Sequence, residues 1–190
     1  MKNPKAVLII HPIVGPVTTY VNWARAGYKM IVLYPQLEAV PDFFKKALLE
    51  VDFEVELFQT GDLEKDVQLI KAQQEHCDIV FGYMGWESNI LYGEQILRRV
   101  FPEKSNDPAN SLWRYNKFAM NERLKECGLS YIKQCSITDK IITSEVESFL
   151  QTVHYPVVVK PSFNSAASED VYFCETAAEV LECVHEMSVK

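Results

Sequence analysis

Glycine is scarce in this chain, with seven in 190 residues, and none of them forms a phosphate-binding signature. A dinucleotide-binding unit needs a glycine-rich turn after its first strand, so that backbone can approach a pyrophosphate. Here that turn reads His11-Pro12-Ile13-Val14-Gly15-Pro16, with one glycine and two prolines. Neither GxGxxG nor GxxxxGK[ST] occurs, which argues against an NAD enzyme or a P-loop NTPase. Cysteine spacing is equally unhelpful to a metal reading. Cys77, Cys127, Cys135, Cys174 and Cys183 are odd in number and scattered, without a CxxC pair. A zinc site is not expected from them. Reduced thiols in a cytoplasmic protein fit better. Positive charge is also short: 19 Lys and Arg stand against 26 Asp and Glu, a net charge of -7. That balance speaks against nucleic acid and anionic membranes as partners. No apolar run is long enough to span a bilayer. The short stretch Ala6 to Ile10 is also too brief for a signal-peptide core.

What is present is an ordinary globular composition, 48% hydrophobic and 24% charged, with enough apolar mass for one large core or two smaller ones. The first hundred residues alternate. Ala6 to Ile10 is a continuous apolar run, as in a strand covered on both faces. Thr18 to Ala26 reads as a helix ended by Gly27, and Met30 to Tyr34 as a second buried strand. Pro41 can open a helix to about Glu50. Phe53 to Phe58 alternates in polarity, as in a more exposed strand. Asp62 caps a helix that places Leu63, Val67 and Ile70 on one face. Asp78 to Tyr83 is a further strand, and Asn89 to Val100 a further helix. This rhythm predicts an α/β domain with a Rossmann-like parallel sheet over residues 1–103.

Turn formers crowd residues 101–110, and a second segment, 104–190, follows. Its expected order is a helix from Ser111 to Cys127 stopped by Gly128, a strand over Tyr131 to Ser136, and a helix over Ser144 to Thr152. Then come a strand from Tyr155 to Lys160, a small polar loop over Ser162 to Asp170, a strand over Val171 to Cys174 and a helix from Thr176 to Met187. Two strands in succession across a short loop predict antiparallel pairing in an α+β subdomain. Cys127 and Cys174 are expected on the apolar sides of their elements. The four histidines, His11, His76, His154 and His185, show no ligand spacing.

The chemistry concentrates in this second segment. Val157-Val158-Val159-Lys160-Pro161 sets an ammonium at the end of an apolar strand. A buried strand delivering that charge implies an anion to meet it. The following Ser-Phe-Asn-Ser-Ala-Ala-Ser-Glu-Asp stretch is small and polar, suited to wrapping N–H groups and hydroxyls around phosphate oxygens. Arg114 and Lys117, three apart, share a helix face. Taken singly, a lysine at a strand end, a charged helix face and a polar hairpin loop are commonplace features of solvated surfaces.

Their order is more specific. Arg114-Tyr115-Asn116-Lys117, a helix ending in Glu126-Cys127-Gly128-Leu129, the valine–lysine–proline strand, the small-residue loop and Val171-Tyr172-Phe173-Cys174 together resemble the ATP-grasp superfamily. The closest likeness is to its amino-acid-ligase-like carboxylate–amine ligases. The preceding domain, with Gly85-Trp86-Glu87 after a strand, is similar to that family's pre-ATP-grasp domain. The resemblance implies an ATP-grasp lid subdomain, incomplete at the C-terminus. It implies that Lys117 contacts the α-phosphate of ATP and that Lys160 bridges phosphate and adenine. It further implies that Arg114 lies by the nucleotide and that Ser165 to Ser168 closes over the terminal phosphates, with Ser165 and Ser168 in contact. Glu87 would fall on the substrate side of the first domain, although capping of the next helix is the simpler role for it.

The implied reaction is ATP-dependent and ADP-forming. A carboxylate is phosphorylated to an acyl phosphate, and an amine displaces the phosphate, with Mg²⁺ and lysines absorbing the developing charge. The expected partners are therefore small-molecule carboxylates and amines. The Mg²⁺ ligands are expected beyond residue 190, and this chain alone is expected to be inactive. An open edge of the lid sheet would then favour pairing between chains. Three departures from the family pattern stand out. Asn116 replaces an aspartate, and Ala167 and Asp170 replace glycines. They leave room for an alternative, a catalytically degenerate ATP-grasp-like binding or interaction protein. An unrelated α/β domain with a coincidental motif order is the remaining option.

Overall fold

A computed structural model describes residues 3–12, 17–36, 53–163 and 170–187. The helix expected over 41–50 and most of the polar loop, 164–169, lie outside the described residues. The chain divides into two units, 1–111 and 112–190.

In the first unit, four parallel strands lie in the order β3-β2-β1-β4. They are β1 (Lys5–Ile10), β2 (Lys29–Tyr34), β3 (Val55–Phe58) and β4 (Asp78–Met84). Helices α1 (Val17–Arg25), α2 (Leu63–Gln73) and α3 (Ile90–Val100) alternate with them. The side-chain period of two sends alternate residues of β1 to opposite faces. Ala6, Leu8 and Ile10 join Ile31, Leu33, Val67, Ile70, Ile96 and Val100 on one side. Val7 and Ile9 join Tyr20, Met30, Val32 and Tyr34 on the other. This two-sided covering is why β1 reads as an unbroken apolar run. Each fully buried aliphatic side chain there contributes roughly 1.5–3 kcal/mol. Asp62 caps α2 as expected, accepting from the Glu64 and Lys65 amides at 3.0 and 3.2 Å. Gly93 lets α3 close onto β4, since a Cβ there would sit 2.0 Å from the Met84 sulfur.

The turn formers place residues 104–111 with the second segment, whereas in the structure they lie with the first unit. Ser111 Oγ donates to the buried Glu94 of α3, and Asn106 Nδ2 donates to the same carboxylate at 3.3 Å.

The second unit holds α4 (Leu112–Tyr115), α5 (Lys117–Glu126), α6 (Ser144–Thr152), β5 (Val157–Val159), β6 (Tyr172–Cys174) and α7 (Ala177–Glu186). The strands β5 and β6 pair antiparallel, with Val158 opposite Phe173. A small core of Val146, Leu150, Cys174, Val180, Cys183 and Val184 covers one side of this ribbon. Three expectations are corrected. The helix from Ser111 to Cys127 is two helices, broken at Asn116. Cys127, expected on its apolar side, is exposed, as is Met120, and the buried residue of α5 is Asn121. Residues 131–136 form no strand. Backbone groups of Ile132 are met by a side chain of α5 instead of a ladder: Asn121 Oδ1 accepts from the Ile132 amide at 2.9 Å, and Asn121 Nδ2 donates to the Ile132 carbonyl. A side chain on a neighbouring helix thus satisfies backbone groups that the expected strand would have paired in a sheet.

Candidate functional site

Within the second unit, the candidate nucleotide residues come from two elements. Asn116 has extended backbone angles and caps α5, its Oδ1 accepting from the Ala119 amide at 2.8 Å. Lys117 is therefore the first residue of α5, half-buried. The amide of a first helical residue has no partner within its own helix. It donates to the Ser162 carbonyl at 2.8 Å, which ties the start of α5 to the segment leaving β5. Lys160 follows β5 directly, and its side chain is exposed.

This exposure corrects the sequence argument about that strand. β5 is half-exposed, with Val158 49% accessible, so Lys160 is not delivered from a buried strand. The desolvation cost that would demand an anion is not incurred here. Arg114 is exposed on α4 and interacts within the structure. Ser165 and Ser168 lie outside the described residues.

Asp170, where the resemblance implies a glycine, has a φ of +55°. Aspartate is among the residues that enter this left-handed region most readily. The backbone conformation a glycine would supply is therefore present without one. The Asn116 departure is also conservative locally, because Asn and Asp cap helices about equally well.

The first unit carries a second cluster, at the carboxyl ends of its strands. The strand order reverses between β1 and β4, and open parallel sheets bind ligands at such a point. His11 follows β1. It is fully buried, with φ at +51°. Non-glycine residues held this way cost of order 1–3 kcal/mol and concentrate at functional sites. The His11 amide donates to the Leu33 carbonyl at 2.8 Å, and the Gly85 amide to the Ile10 carbonyl at 2.8 Å. The ends of β1 and β4 approach so closely that a Cβ at Gly85 would lie 2.6 Å from the His11 carbonyl oxygen. The imidazole stacks on Tyr92 of α3 with centroids 6.2 Å apart and meets Trp86 edge-on. Its Nδ1 lies 3.2 Å from Asn89 Nδ2. Burial pushes its pKa down to about 4, against smaller opposing effects of the Gln59 amide and the Asp66 charge. Asp66, also fully buried, accepts from the Thr60 amide at 2.9 Å, from Thr60 Oγ1 at 2.7 Å and from the Tyr92 hydroxyl. The Tyr92 hydroxyl is held well above its ordinary pKa, first by burial and then by that carboxylate.

Sequence reasoning placed no role on His11, Gln59, Asp66 or Tyr92. The available signal was a histidine directly after the first buried strand, where a switch point falls. Glu87 opens a 3-10 turn, Glu87–Asn89, and is exposed. Neither Trp86 nor Asn89 makes a side-chain capping bond at the helix start. Among the described residues, no group of three or more His, Cys, Asp or Glu could hold a metal ion. No helix among them is long and apolar enough to cross a membrane.

No protein-family model matches the chain, and no curated protein matches it significantly. Solved structures do. The chain is similar to the L-amino acid ligase from Bacillus licheniformis, with 15% identity and a TM-score of 0.63 over 98% of this chain and 41% of that one. It is similar to N5-carboxyaminoimidazole ribonucleotide synthetase, solved as an ADP complex, with 16% identity and a TM-score of 0.64 over 97% of this chain and 44% of that one. The biotin carboxylase domain of the Hydrogenobacter thermophilus 2-oxoglutarate carboxylase, solved with MgADP and bicarbonate, aligns with 14% identity and a TM-score of 0.54 over 98% and 40%. The chain thus spans less than half the length of each of these structures. Over the aligned part its fold is similar to theirs, a parallel sheet with helices followed by a small antiparallel pair.

Proposed function

We propose that this chain is the N-terminal portion of an ATP-dependent, ADP-forming carboxylate–amine ligase, with Lys117 and Lys160 on the phosphates of ATP. The observation that carries the reading is the Lys117–Ser162 backbone bond within an ATP-grasp fold, because it brings both lysine-bearing segments together. An ammonium at the first position of α5 faces the positive end of a helix dipole, an unfavourable place by a few tenths of a kcal/mol. A bound phosphate would reverse the sign of that interaction, since helix N-termini and lysines both attract anions. Arg114 on α4 and, in the polar loop, Ser165 and Ser168 complete the proposed cradle.

ATP supplies the phosphoryl group that activates the carboxylate. The residues of this chain hold and orient it and offset its charge. The described residues contain no carboxylate cluster for Mg²⁺, so its ligands belong to another part of the protein in this reading. The carboxyl-terminal side of the first unit's sheet, where Glu87 follows β4, is the proposed substrate side. The exposed ribbon β5–β6 has unpaired edges among the described residues. Such an edge is a site for strand addition by a second copy. A cytoplasmic location, where thiols stay reduced, belongs to the same reading.

The test is a thermal-shift titration with Mg-ATP on the longest native chain, with Lys160→Ala and Lys117→Ala beside it. A saturable rise in melting temperature, lost in either variant, is expected. In the parent enzyme each variant should lower ATP turnover by about 10²-fold or more. Unchanged turnover in Lys160→Ala would end the assignment, and a shift with no turnover in the complete protein would favour a degenerate binding protein.

A further inference from the structure

The small core of the second unit holds two cysteines that touch. Cys174 ends β6, Cys183 lies within α7, and both are buried. Their sulfurs are 3.7 Å apart, a contact and not a bond. A disulfide is about 2.0 Å long, so closure calls for small rotations of two side chains that already face each other.

The meeting of the sulfurs is set by interactions other than their own. Val157 is the partner of Cys174 across the ribbon. Val180 and Val184 are buried with Cys183 on one face of α7. The turn between β6 and α7 is short and tied at both ends. Thr176 caps α7, its Oγ1 accepting from the Glu179 amide at 3.3 Å, and the Glu179 carboxylate accepts from the Glu175 amide at 2.9 Å. Such reciprocal bonds fix the angle at which a helix leaves its preceding segment. In an unfolded chain, bringing the two cysteines together costs loop-closure entropy. In the folded chain they are together before any bond forms.

We infer that Cys174 and Cys183 are a reversible dithiol–disulfide pair, which a low-molecular-weight disulfide oxidises to a covalent staple between β6 and α7. One cysteine, as its thiolate, attacks the small disulfide RSSR, forming a mixed disulfide and releasing RS⁻. The second cysteine attacks the sulfur of the first, the S–S bond of the protein forms, and the second RS⁻ leaves. Two protein thiols are oxidised, RSSR is reduced to two RSH, and the two thiol protons pass through solvent to the leaving thiolates. Reduced thiols are the resting state in a reducing compartment, and the staple forms when the thiol–disulfide balance shifts. The exchange is slow, because burial pushes the Cys183 thiol up to about 11 and the thiolate is the reacting form. It proceeds when α7 opens locally. The inference goes beyond the ligase reading and needs no nucleotide.

The other cysteines of this unit make the assignment testable. Cys127 is exposed, and Cys135 is half-buried against the same core. If access to solvent decided the chemistry, Cys127 would be the oxidised residue.

The test equilibrates the full chain in mixtures of reduced and oxidised glutathione, starting from the reduced and from the oxidised protein, both folded and in concentrated urea. Acid quenching, alkylation and peptide mass mapping then give the fraction of each disulfide. The folded chain should yield one linked pair of peptides, carrying Cys174 and Cys183, with the loss of two hydrogens. That disulfide should be favoured over its counterpart in the urea-unfolded chain by about ten-fold or more. By linkage the oxidised chain should melt several degrees higher, and dithiothreitol should reverse the rise. Cys183→Ala should abolish both effects, and the folded-to-unfolded ratio, read on the unaltered chain, stands even where that variant folds poorly. A ratio below about ten, a disulfide to Cys127 or Cys135 in place of the pair, or an oxidised chain that melts no higher would each overturn the inference.

Discussion

The amide of Lys117 donates to the carbonyl of Ser162 at 2.8 Å. This bond joins the first residue of a helix to the residue two places beyond Lys160. It exists because Asn116 interrupts what would otherwise be one helix. In an unbroken helix the Lys117 amide would bond four residues back and could not reach Ser162. Breaking the helix frees that amide, and the segment leaving β5 satisfies it.

Asn116 should therefore be sensitive to the loss of its side-chain oxygen and not to its exact identity. Asn116→Asp is expected to change stability by only a few tenths of a kcal/mol. Asn116→Ala should cost about 1 kcal/mol, because the Ala119 amide loses its acceptor. Urea unfolding of both variants checks this, and equal stabilities would contradict the capping role.

Gly85 is held by a close approach of backbone and not by unusual angles. A methyl group there would sit 2.6 Å from the His11 carbonyl oxygen and 2.8 Å from the Pro12 Cα, both rigid backbone atoms. Gly85→Ala should destabilise the first unit by roughly 1–3 kcal/mol. The expected readout is a lower denaturation midpoint, together with a shifted His11 environment by NMR.

His11 gives the first unit a pH dependence of defined sign. Its folded pKa, about 4, lies below the ordinary value of 6.5. Between these values the unfolded chain binds the proton and the folded one does not, so acid favours unfolding. This stability is fully present above pH 6.5, falls as pH drops towards 4, and amounts to at most about 3 kcal/mol. His11→Gln, which cannot titrate, should flatten the stability profile in that window. A profile as steep as the wild type would remove His11 as the cause.

The cysteines should differ in reactivity. Cys174 and Cys183 are buried with their sulfurs 3.7 Å apart. Burial, then the neighbouring Cys174, pushes the Cys183 thiol up to about 11. Cys127 is exposed. Iodoacetamide should therefore modify Cys127 well before Cys183, since the thiolate is the reacting form. Peptide mass mapping over time would show the order, and early labelling of Cys183 would contradict the packing of β6 against α7.

Much of the first unit was legible because its strands are covered on both faces. The run Ala6 to Ile10 has a simple reading, and Asp62 announces a helix by its capping chemistry. The second unit was harder. Cys127 was expected on an apolar helix side, yet α5 buries Asn121, which hydrogen-bonds the backbone of Ile132. Residues 131–136 are expected as a strand, and no local pattern reveals that the partner of Ile132 is a helix side chain. Lys160 stood out by its type, but its exposure follows from a two-stranded ribbon covered on one side only.

The sequence by itself determined the alternation of buried strands and helices, the antiparallel pair near the end, and the lysines worth testing, because periodicity and capping act over a few residues. Only the tertiary structure decided that Lys117 meets the segment leaving β5, and that His11 meets Asn89 and Tyr92, whose hydroxyl donates to Asp66. Those groups come from different elements, and their meeting depends on strand order and on close backbone approach at Gly85. Such contacts are fixed by how elements pack, which is a property of the whole unit and not of any local stretch.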